Sequence, residues 1–302
     1  MNGRKANICN MAGEYQLTVI VPAFNEAENL EIIIPPLLAL SRQHTWKIIF
    51  VNDGSGDSTR KILEHFPVSD HFRVIHHKLN KGYGAAIKSG ISACDTEYCI
   101  TFDADGQHRL EDIKRLFDSL ISRDADMIVG SRKGVKSGSL YRRAGKIIIR
   151  FIAKLLMHVP VRDINSGMKV YRTELAKKYI HLVPDTMSFS DIITLIFINN
   201  RHLVLEEPIT ITPRMNGKST IRVETVFQTI MEILNIVILF NPAKIFLPLS
   251  AVFMITGIAV GLPILLAGHG VSTGSLLGLC AGVFFFLLGL IAEQLSALRK
   301  NR

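Results

Sequence analysis

The chain has 302 residues, of which 48% are hydrophobic and 20% charged, and its formal net charge is +9 at pH 7. Because an ordinary soluble domain carries about 25% charged residues, this composition is too apolar for a purely soluble protein and excludes a disordered one. Four cysteines without a CxxC pair argue against a disulfide scaffold or a zinc site and favour a reducing compartment, and average use of glycine and proline excludes collagen-like repeats.

The N-terminal part of the chain predicts a flexible segment followed by an α/β domain. Residues 1–15 contain no apolar core, so no signal peptide is predicted and a flexible N-terminus is expected. Short apolar runs then predict strands at 17–21, 47–51, 73–76, 98–102 and 127–129. Apolar strands separated by helical patterns are typical of a parallel sheet covered on both faces. Such sheets bind ligands at the carboxyl ends of their strands, so the polar residues there are the candidate site.

Polar residues follow the first two predicted strands. Asn25 is expected to start a helix that has Glu26 in its first turn. After the second strand, Asp53 is suited to accept hydrogen bonds from a base or a ribose, and the alternative is a structural turn. Asp57, in the same loop, is predicted to be a helix N-cap.

The loops after the third and fourth strands carry phosphate- and metal-binding patterns. Gly82 and Gly84 precede a helix and allow close backbone approach, and Lys81 is suited to meet a phosphate. Asp103 and Asp105 are two carboxylates at a strand end, a pattern that suits Mg²⁺ or Mn²⁺ bound together with substrate phosphates. The alternative for a lone Asp-x-Asp is a structural turn.

The middle of the chain is strongly basic. Residues 131–154 carry eight basic side chains and no acidic one. Basic residues at three- and four-residue spacing, with apolar residues between them, predict an amphipathic helix at about 140–157 that lies in a membrane interface. The alternative is a surface helix packed on its own domain. Nucleic-acid binding is not predicted, because a membrane surface already accounts for the cationic stripe.

The C-terminal part predicts a membrane anchor. A second amphipathic stretch at 220–242 predicts another interfacial helix, with a soluble core helix as the alternative. The 48 residues from 245 to 292 contain no Asp, Glu, Lys or Arg, which is enough for two spans of about 20 residues, at 245–267 and 272–292. Basic residues flank this hairpin but are missing from its turn, so both of its ends are expected in the cytosol. The hairpin and a basic tail make up 243–302.

The motifs VPAFNEAENL, VNDGSGDST, NKGYGAAIKSG, DADGQH, GSR and DINSGMKVYR closely resemble glycosyltransferase family 2 from about Leu17 to Ser219. With the predicted interfacial helix and hairpin, the chain is similar to the polyprenyl-phosphate glycosyltransferases, the branch that includes dolichyl-phosphate mannose synthase. This resemblance implies a Rossmann-like GT-A domain at 16–219, a nucleotide-sugar donor, a polyprenyl phosphate acceptor in a membrane, and Mg²⁺ or Mn²⁺ as cofactor.

The resemblance also implies roles for individual residues. The positions that match the family's nucleotide-sugar site are Pro22, Ala23, Glu26, Asp53, Lys81, Gly82, Asp103, Arg214 and Ser219. The positions that match its metal site are Asp103, Asp105 and Gln107. Arg132 resembles an arginine that faces the phosphates, and Asp191 lies where relatives with a hydroxyl acceptor keep a catalytic acid. The alternative for Asp191 is to orient the sugar or a basic residue instead of abstracting a proton. Asp105, Arg132 and Asp191 are therefore the candidate catalytic residues.

The predicted chemistry follows from the acceptor. A phosphate monoester has its second pKa at about 6, so at pH 7 its oxygen is already a nucleophile and needs a cationic seat rather than a general base. The residues proposed for that seat are Arg132, Arg142, Arg143 and Lys146. Attack from the face opposite the leaving diphosphate predicts inversion at the sugar.

Two departures from the family and two alternative functions accompany this interpretation. The serine that mannose synthases tend to carry after the paired arginines is replaced here by Ala144, Gly145 and Lys146, and the Q-x-x-R-W motif of polymer-forming members is missing. One alternative is the same donor chemistry on a hydroxyl of a membrane lipid or glycan. The other is a membrane-tethered nucleotide-binding protein without enzymatic activity. The sequence favours neither mannose nor glucose, and it is compatible with a homo-oligomer.

Overall fold

The computed structural model describes residues 15–132, 160–212 and 242–300. The chain divides into two units, and the described residues of the first are 15–132 and 160–212, whereas those of the second are 242–300. Residues 1–14 of the predicted flexible N-terminus lie outside the described residues. So do the predicted interfacial helix at 140–157 and nearly all of the one at 220–242.

A seven-stranded mixed sheet forms the centre of the first unit, as far as its residues are described. The strands are β1 Leu17–Ala23, β2 Lys47–Asn52, β3 Phe72–His76, β4 Tyr98–Thr101, β5 Met127–Ser131, β6 Lys169–Arg172 and β7 Val204–Pro208. Their spatial order is β3-β2-β1-β4-β6-β5-β7. The five predicted strands are confirmed and run in one direction. The sheet is nevertheless mixed, because β6 enters between β4 and β5 and is antiparallel to both.

Helices connect the strands and cover the sheet. They are α1 Ala27–His44, α2 Thr59–His65, α3 Tyr83–Ala93, α4 Glu111–Ser122, α5 Thr173–Tyr179 and α6 Phe189–Asn199. The predicted helix start at Asn25 is wrong by two residues. Asn25 adopts a left-handed conformation with φ 55°, and its side chain accepts a hydrogen bond from the next loop instead of capping α1.

The core explains why the strand ends are held rigidly. Every residue of β1 is buried, as expected for a central strand with helices on both faces. On α1, Leu30, Ile33, Ile34 and Leu37 recur at three- and four-residue spacing and are buried against the sheet. Burying a side chain of this size contributes about 1.5–3 kcal/mol, so the loops beyond the strand ends stand on a stable support.

The second unit is a helical hairpin. Helices α7 (Ala243–Leu266) and α8 (Thr273–Lys300) are both long and apolar enough to cross a membrane, which confirms the two predicted spans, although α8 continues past residue 292. The two helices pack through small residues: Ser250 Oγ donates to the carbonyl of Gly282 (2.7 Å), and Ser275 Oγ donates to that of Gly257 (2.6 Å). Close approach at small residues, with hydroxyls bonded across the pair, is typical of membrane helices.

Candidate active site

The loops after β1 and β2 are fastened together at the carboxyl edge of the sheet. Pro22 and Ala23 are the last residues of β1 and are buried. Glu26 directly precedes α1; its backbone N–H donates to Thr59 Oγ1 (3.0 Å), and its carboxylate accepts from Asn29 Nδ2 (2.5 Å). Of these three positions, predicted to line a nucleotide, Pro22 and Ala23 therefore end the strand, and Glu26 lies on the loop after it, whose conformation the neighbouring loop holds.

Asp57 was predicted to be a helix N-cap, but the N-cap residue of α2 is Ser58, and Asp57 lies one residue before it. Its Oδ1 accepts from the backbone N–H of Thr59 (2.9 Å) at the start of α2, and its Oδ2 accepts from that of Ala27 (3.2 Å) at the start of α1. Partial burial acts to raise the pKa of Asp57, but these hydrogen bonds outweigh it and lower the pKa. A single carboxylate thus binds backbone N–H groups at the start of two helices.

Asp53 organises the loop that follows β3. The residue is 3% exposed. Its Oδ1 accepts from the backbone N–H of Lys81 (2.9 Å) and lies 2.6 Å from His77 Nδ1, while its Oδ2 accepts from the N–H of Gly82 (2.8 Å). The N–H groups of residues 81 and 82 therefore bind Asp53 and do not form a phosphate cradle. The Lys81 side chain is exposed, so it is accessible to a ligand.

Gly82 directly precedes α3, whereas Gly84, predicted to precede the helix, is its second residue, and the close approach at both glycines is made by the protein itself. A Cβ on Gly82, whose φ is +101°, would lie 2.4 Å from the carbonyl oxygen of Asp185, and one on Gly84 would lie 2.4 Å from that of Pro184. Lys88 Nζ pairs with Asp185 Oδ1 at 2.7 Å and holds the same contact from α3. These glycines thus allow the segment before α6 to pack on the start of α3.

Asp103 lies just beyond β4 and is fixed from two sides. Its Oδ1 accepts a hydrogen bond from the Tyr83 hydroxyl (2.8 Å). Burial, reinforced by the charge of Asp103, raises the pKa of Tyr83 well above its usual value, so the phenol remains a donor. On the other side, a Cβ on Gly167 would lie 2.1 Å from Asp103 Oδ2. Glycine at 167 therefore leaves room for the carboxylate in its observed position, and a larger residue would require it to shift.

Asp105 and Gln107 share one tight turn. Asp105 Oδ1 accepts from the backbone N–H of Gln107 (3.1 Å). The carbonyl of Gln107 accepts from the N–H of Thr212 (2.9 Å), and the Thr212 hydroxyl donates to the carbonyl of Gly106 (2.9 Å). The segment that leads to Arg214 is therefore anchored on the Asp-x-Asp turn two residues before that arginine.

The residues of this turn are chemically suited to a divalent cation that prefers oxygen ligands. Asp103, Asp105 and Gln107 offer carboxylate and amide oxygens, which are the ligands that Mg²⁺ and Mn²⁺ prefer. Among the described residues, no cluster of three His, Cys, Asp or Glu side chains forms a closed metal site. Mg²⁺ is usually bound by one or two carboxylates, with water and substrate phosphates as its other ligands, so residues of this chemistry would suit an open site.

Arg132 is held by a residue that the sequence interpretation did not single out. Its Nε and Nη2 each lie 2.7 Å from an oxygen of Asp163, and its Nη2 also donates to the carbonyl of Asn165 (3.0 Å). Hydrogen bonding to Asp163 raises the pKa of Arg132. The arginine side chain is 29% exposed, so a ligand can reach it. Asp163 thereby orients a permanent cation at the end of β5.

The same loop reaches the predicted catalytic acid. Asp191 is buried in the first turn of α6, where the helix dipole favours a negative charge. Its Oδ2 accepts from Asn165 Nδ2 (3.3 Å). Asn165 therefore joins Arg132 to Asp191 through its backbone carbonyl and its side-chain amide.

A buried lysine lies beneath this network. Lys169, on β6, is fully buried, and its Nζ donates to the carbonyls of Ile164 (2.8 Å) and Ser190. Burial lowers the pKa of Lys169 to about 7, while the charges of Asp191 and Asp163 act to raise it. The amine ties the loop after residue 160 to the start of α6.

Two profiles of known protein families match the sequence of this chain. The profile of Glycosyl transferase family 2 matches residues 18–180, and that of the GtrB C-terminal hairpin matches 241–298. The chain belongs to glycosyl transferase family 2. Together with the mixed sheet, this match confirms the predicted GT-A fold, and the second match agrees with a C-terminal transmembrane hairpin.

Relatives of this family 2 chain cover most of its length. It is 32% identical over 214 residues to the polyprenol monophosphomannose synthase of Mycolicibacterium smegmatis, covering 67% of this chain and 79% of the relative. It is 24% identical over 300 residues to the dodecaprenyl-phosphate galacturonate synthase of Rhizobium johnstonii, covering 93% and 88%. Glucosyl-3-phosphoglycerate synthase from Mycobacterium tuberculosis, solved with Mn²⁺, UDP-glucose and phosphoglyceric acid, shares the fold with a TM-score of 0.57 at 15% identity over 74% of this chain and 79% of that one.

In this family 2 enzyme the structure brings together most of the predicted residues. Those at the carboxyl edge of the sheet are Pro22, Ala23, Glu26, Asp53, Lys81, Gly82, Asp103, Asp105, Gln107, Arg132 and Asp191. Those outside the described residues are Arg142, Arg143, Lys146, Arg214 and Ser219. Sequence reasoning missed Tyr83, Asp163, Asn165, Gly167 and Lys169 as parts of the site. The DINSGMKVYR motif, which contains four of these five, was the available signal.

Proposed function

We propose that this family 2 enzyme transfers a hexose, mannose or glucose, from GDP-mannose or a UDP-hexose to polyprenyl phosphate at the cytoplasmic face of a membrane, with inversion at the sugar. The observation that carries the proposal is that one edge of the sheet holds both the Asp103–Gln107 turn and the oriented cation of Arg132, in a chain with a transmembrane hairpin. The polyprenol and dodecaprenyl products in the names of the two relatives support this acceptor class.

The donor would bind across the loops after β1 to β4. Pro22, Ala23, Glu26 and Asp53 are proposed to line the nucleoside, on loops held rigid by their mutual hydrogen bonds. The exposed amine of Lys81 is proposed to approach the diphosphate. Arg214 and Ser219 are proposed to cover the donor, since their segment starts at the Asp-x-Asp turn.

Asp103, Asp105 and Gln107 are proposed to hold Mg²⁺ or Mn²⁺. The ion would supply positive charge next to the diphosphate as the bond to the sugar breaks. Tyr83 and Gly167 fix one of the two carboxylates in advance, so little reorganisation is needed when the donor binds. Arg132, oriented by Asp163, adds a cation that the active site holds at every physiological pH.

The acceptor would arrive as a lipid phosphate that is already anionic. Arg132, Arg142, Arg143 and Lys146 are proposed to seat it, because a phosphate dianion next to a membrane needs a cationic site to offset its charge. We further propose that both ends of the hairpin face the cytosol. The basic residues flank the hairpin, and its turn at Gly268–Gly270 contains none.

The proposal is tested with the full chain in liposomes. Polyprenyl phosphate and, in a parallel arm, unphosphorylated polyprenol are offered with labelled GDP-mannose or UDP-glucose, in Mg²⁺, Mn²⁺ or EDTA. We expect labelled lipid only from polyprenyl phosphate and only with a divalent ion. Equal labelling of polyprenol would contradict the phosphate acceptor and favour the hydroxyl-acceptor alternative. No labelled lipid from either donor would overturn the proposed hexose donors.

The Asp191→Asn variant separates the two acceptor chemistries. The asparagine side chain keeps an oxygen that can accept the hydrogen bond from Asn165. If the acceptor is already anionic, the reaction needs no general base, and turnover should fall by about tenfold or less. A hydroxyl acceptor would need the carboxylate as a general base, so with that chemistry the turnover of the variant should fall by about 10²- to 10⁴-fold. Initial rates at saturating donor are the measurement, with Asp118→Asn, an exposed carboxylate on α4, as the matched control.

A further inference from the structure

A buried chain of hydrogen bonds runs from Asp53 through His77 to α3. His77 Nδ1 lies 2.6 Å from Asp53 Oδ1, and His77 Nε2 lies 2.8 Å from Ser89 Oγ. The side chains of His77 and Asp53 are 6% and 4% exposed. Because a carboxylate can only accept, the imidazole donates from Nδ1, and its Nε2 accepts from the Ser89 hydroxyl when the ring is neutral.

The chain of bonds supports the segment that follows β3, whose backbone also packs against Gly54. Residues 78–81 are exposed and belong to no helix or strand. Asp53 binds the N–H groups of Lys81 and Gly82, and it shares the oxygen that binds Lys81 with His77. Without the imidazole, the carboxylate can rotate away from the two N–H groups, and the last two residues of the segment lose their hydrogen bonds to the loop after β2.

The segment matters because it borders the proposed donor site. Lys81, at its end, carries the side chain proposed to approach the diphosphate. Asp53 is itself a proposed nucleoside contact, and its backbone N–H donates to the carbonyl of Ala23 (2.9 Å), which lies at the end of β1. The imidazole thus lies on the far side of Asp53 from β1 and supports a residue of the donor site without being one.

We propose that His77 is a positioning residue of the donor site, which orients Asp53 and thereby holds the Lys81–Gly82 segment in the conformation that receives a nucleoside diphosphate. This inference rests on the proposed function, because it assumes that a nucleoside diphosphate binds at this edge. It assigns to His77 no contact with the sugar, the acceptor or a metal ion, so its effect falls on donor affinity and leaves the chemical step unchanged.

The test compares His77→Phe with His77→Asn in the full-length protein. Phenylalanine keeps a ring but removes both nitrogens, whereas the asparagine amide can still donate to Asp53. Loss of a hydrogen bond to a charged group has a large effect on affinity. We expect His77→Phe to raise the Kd for UDP or GDP in Mn²⁺, and the KM for the donor, by about tenfold or more, with kcat within twofold. In His77→Asn, both the Kd and the KM should stay within about threefold of the wild-type values. The same is expected of Ser89→Ala, because His77 itself still contacts Asp53 in that variant.

Calorimetric binding of UDP and GDP, thermal unfolding and steady-state kinetics are measured on each variant, with His65→Phe, an exposed histidine at the end of α2, as the control. A lower melting temperature for His77→Phe with an unchanged KM in the folded fraction would make the histidine merely structural and overturn the proposal. If His77→Phe fails to fold, His77→Asn provides the test instead. A KM for the donor that is tenfold higher in His77→Asn than in the wild type would also overturn the proposal. Wild-type protein that binds neither UDP nor GDP contradicts the proposed function itself, whereas equal binding by wild type and His77→Phe contradicts only the role of His77.

Discussion

Replacing Asp105 with asparagine is expected to reduce sugar transfer by about 10²- to 10³-fold, the effect of removing one electrostatic contact to a developing charge. Asp105 shares its turn with Gln107 and lies two residues after Asp103 at the same edge of the sheet, so the substitution removes one of two carboxylates proposed for a divalent ion. The amide keeps the shape of the side chain and retains an oxygen that can accept from Gln107. A loss of activity in Asp105→Asn is therefore due to the loss of the negative charge at residue 105.

Two measurements check this expectation. Initial rates of transfer to polyprenyl phosphate are determined against Mn²⁺ concentration, and Mn²⁺ binding is followed by electron paramagnetic resonance with and without a nucleoside diphosphate. The variant should need a much higher Mn²⁺ concentration in both. Asp118→Asn, on the exposed face of α4, serves as the control and should behave as wild type. If Asp105→Asn turned over substrate at a rate close to that of the wild type, this would contradict the assignment of Asp105 to the metal site.

Replacing Gly167 with alanine is expected to lower transfer by about 10²-fold with little change in stability. The added Cβ would lie 2.1 Å from Asp103 Oδ2 and 2.9 Å from its Cγ, closer than the 3.0 Å that real Cβ contacts keep. The carboxylate must therefore shift by about 1 Å, and a displacement of that size at a reacting centre costs about 10²-fold in rate. The hydrogen bond from the Tyr83 hydroxyl would be strained by the same movement.

A second glycine provides the matched comparison. Gly56 has no atom within 4 Å of the position of an added Cβ, so Gly56→Ala should retain full activity. Both variants are compared by transfer rate, melting temperature and Mn²⁺ binding. A fall in rate and in Mn²⁺ affinity for Gly167→Ala alone, at an unchanged melting temperature, is the expected pattern. Wild-type rates for Gly167→Ala would mean that the position of Asp103 does not control the reaction.

The fold was predictable where its signal is local. The hairpin follows from a stretch of 48 residues without a charged side chain, and its turn at Gly268–Gly270 lies between the two predicted spans. The five parallel strands are apolar runs that central strands of a covered sheet require. Strands β6 and β7 were missed because KVYR and VLEEP are short and carry charged residues, so neither reads as a buried strand.

The site was predictable as a set of loops but not as a set of contacts. Asp103, Asp105 and Arg132 were found because they follow strands and match family motifs. The partner of Arg132 is Asp163, 31 residues further along the chain, and the group that holds Asp103 from one side is Gly167, 64 residues away. Pairings at such separations depend on the path of the chain between them, which periodicity does not reveal.

The sequence by itself determined the composition of the protein: a membrane hairpin, an α/β domain, and acidic and basic loops at the strand ends. These features depend on hydrophobicity and spacing over a few residues, so they can be read locally. Only the tertiary structure decided how the site is built. The antiparallel entry of β6 between β4 and β5 brings Gly167 against Asp103 and buries Lys169 beneath Asp191, because a strand inserted in the middle of a sheet carries its flanking loop into the active edge.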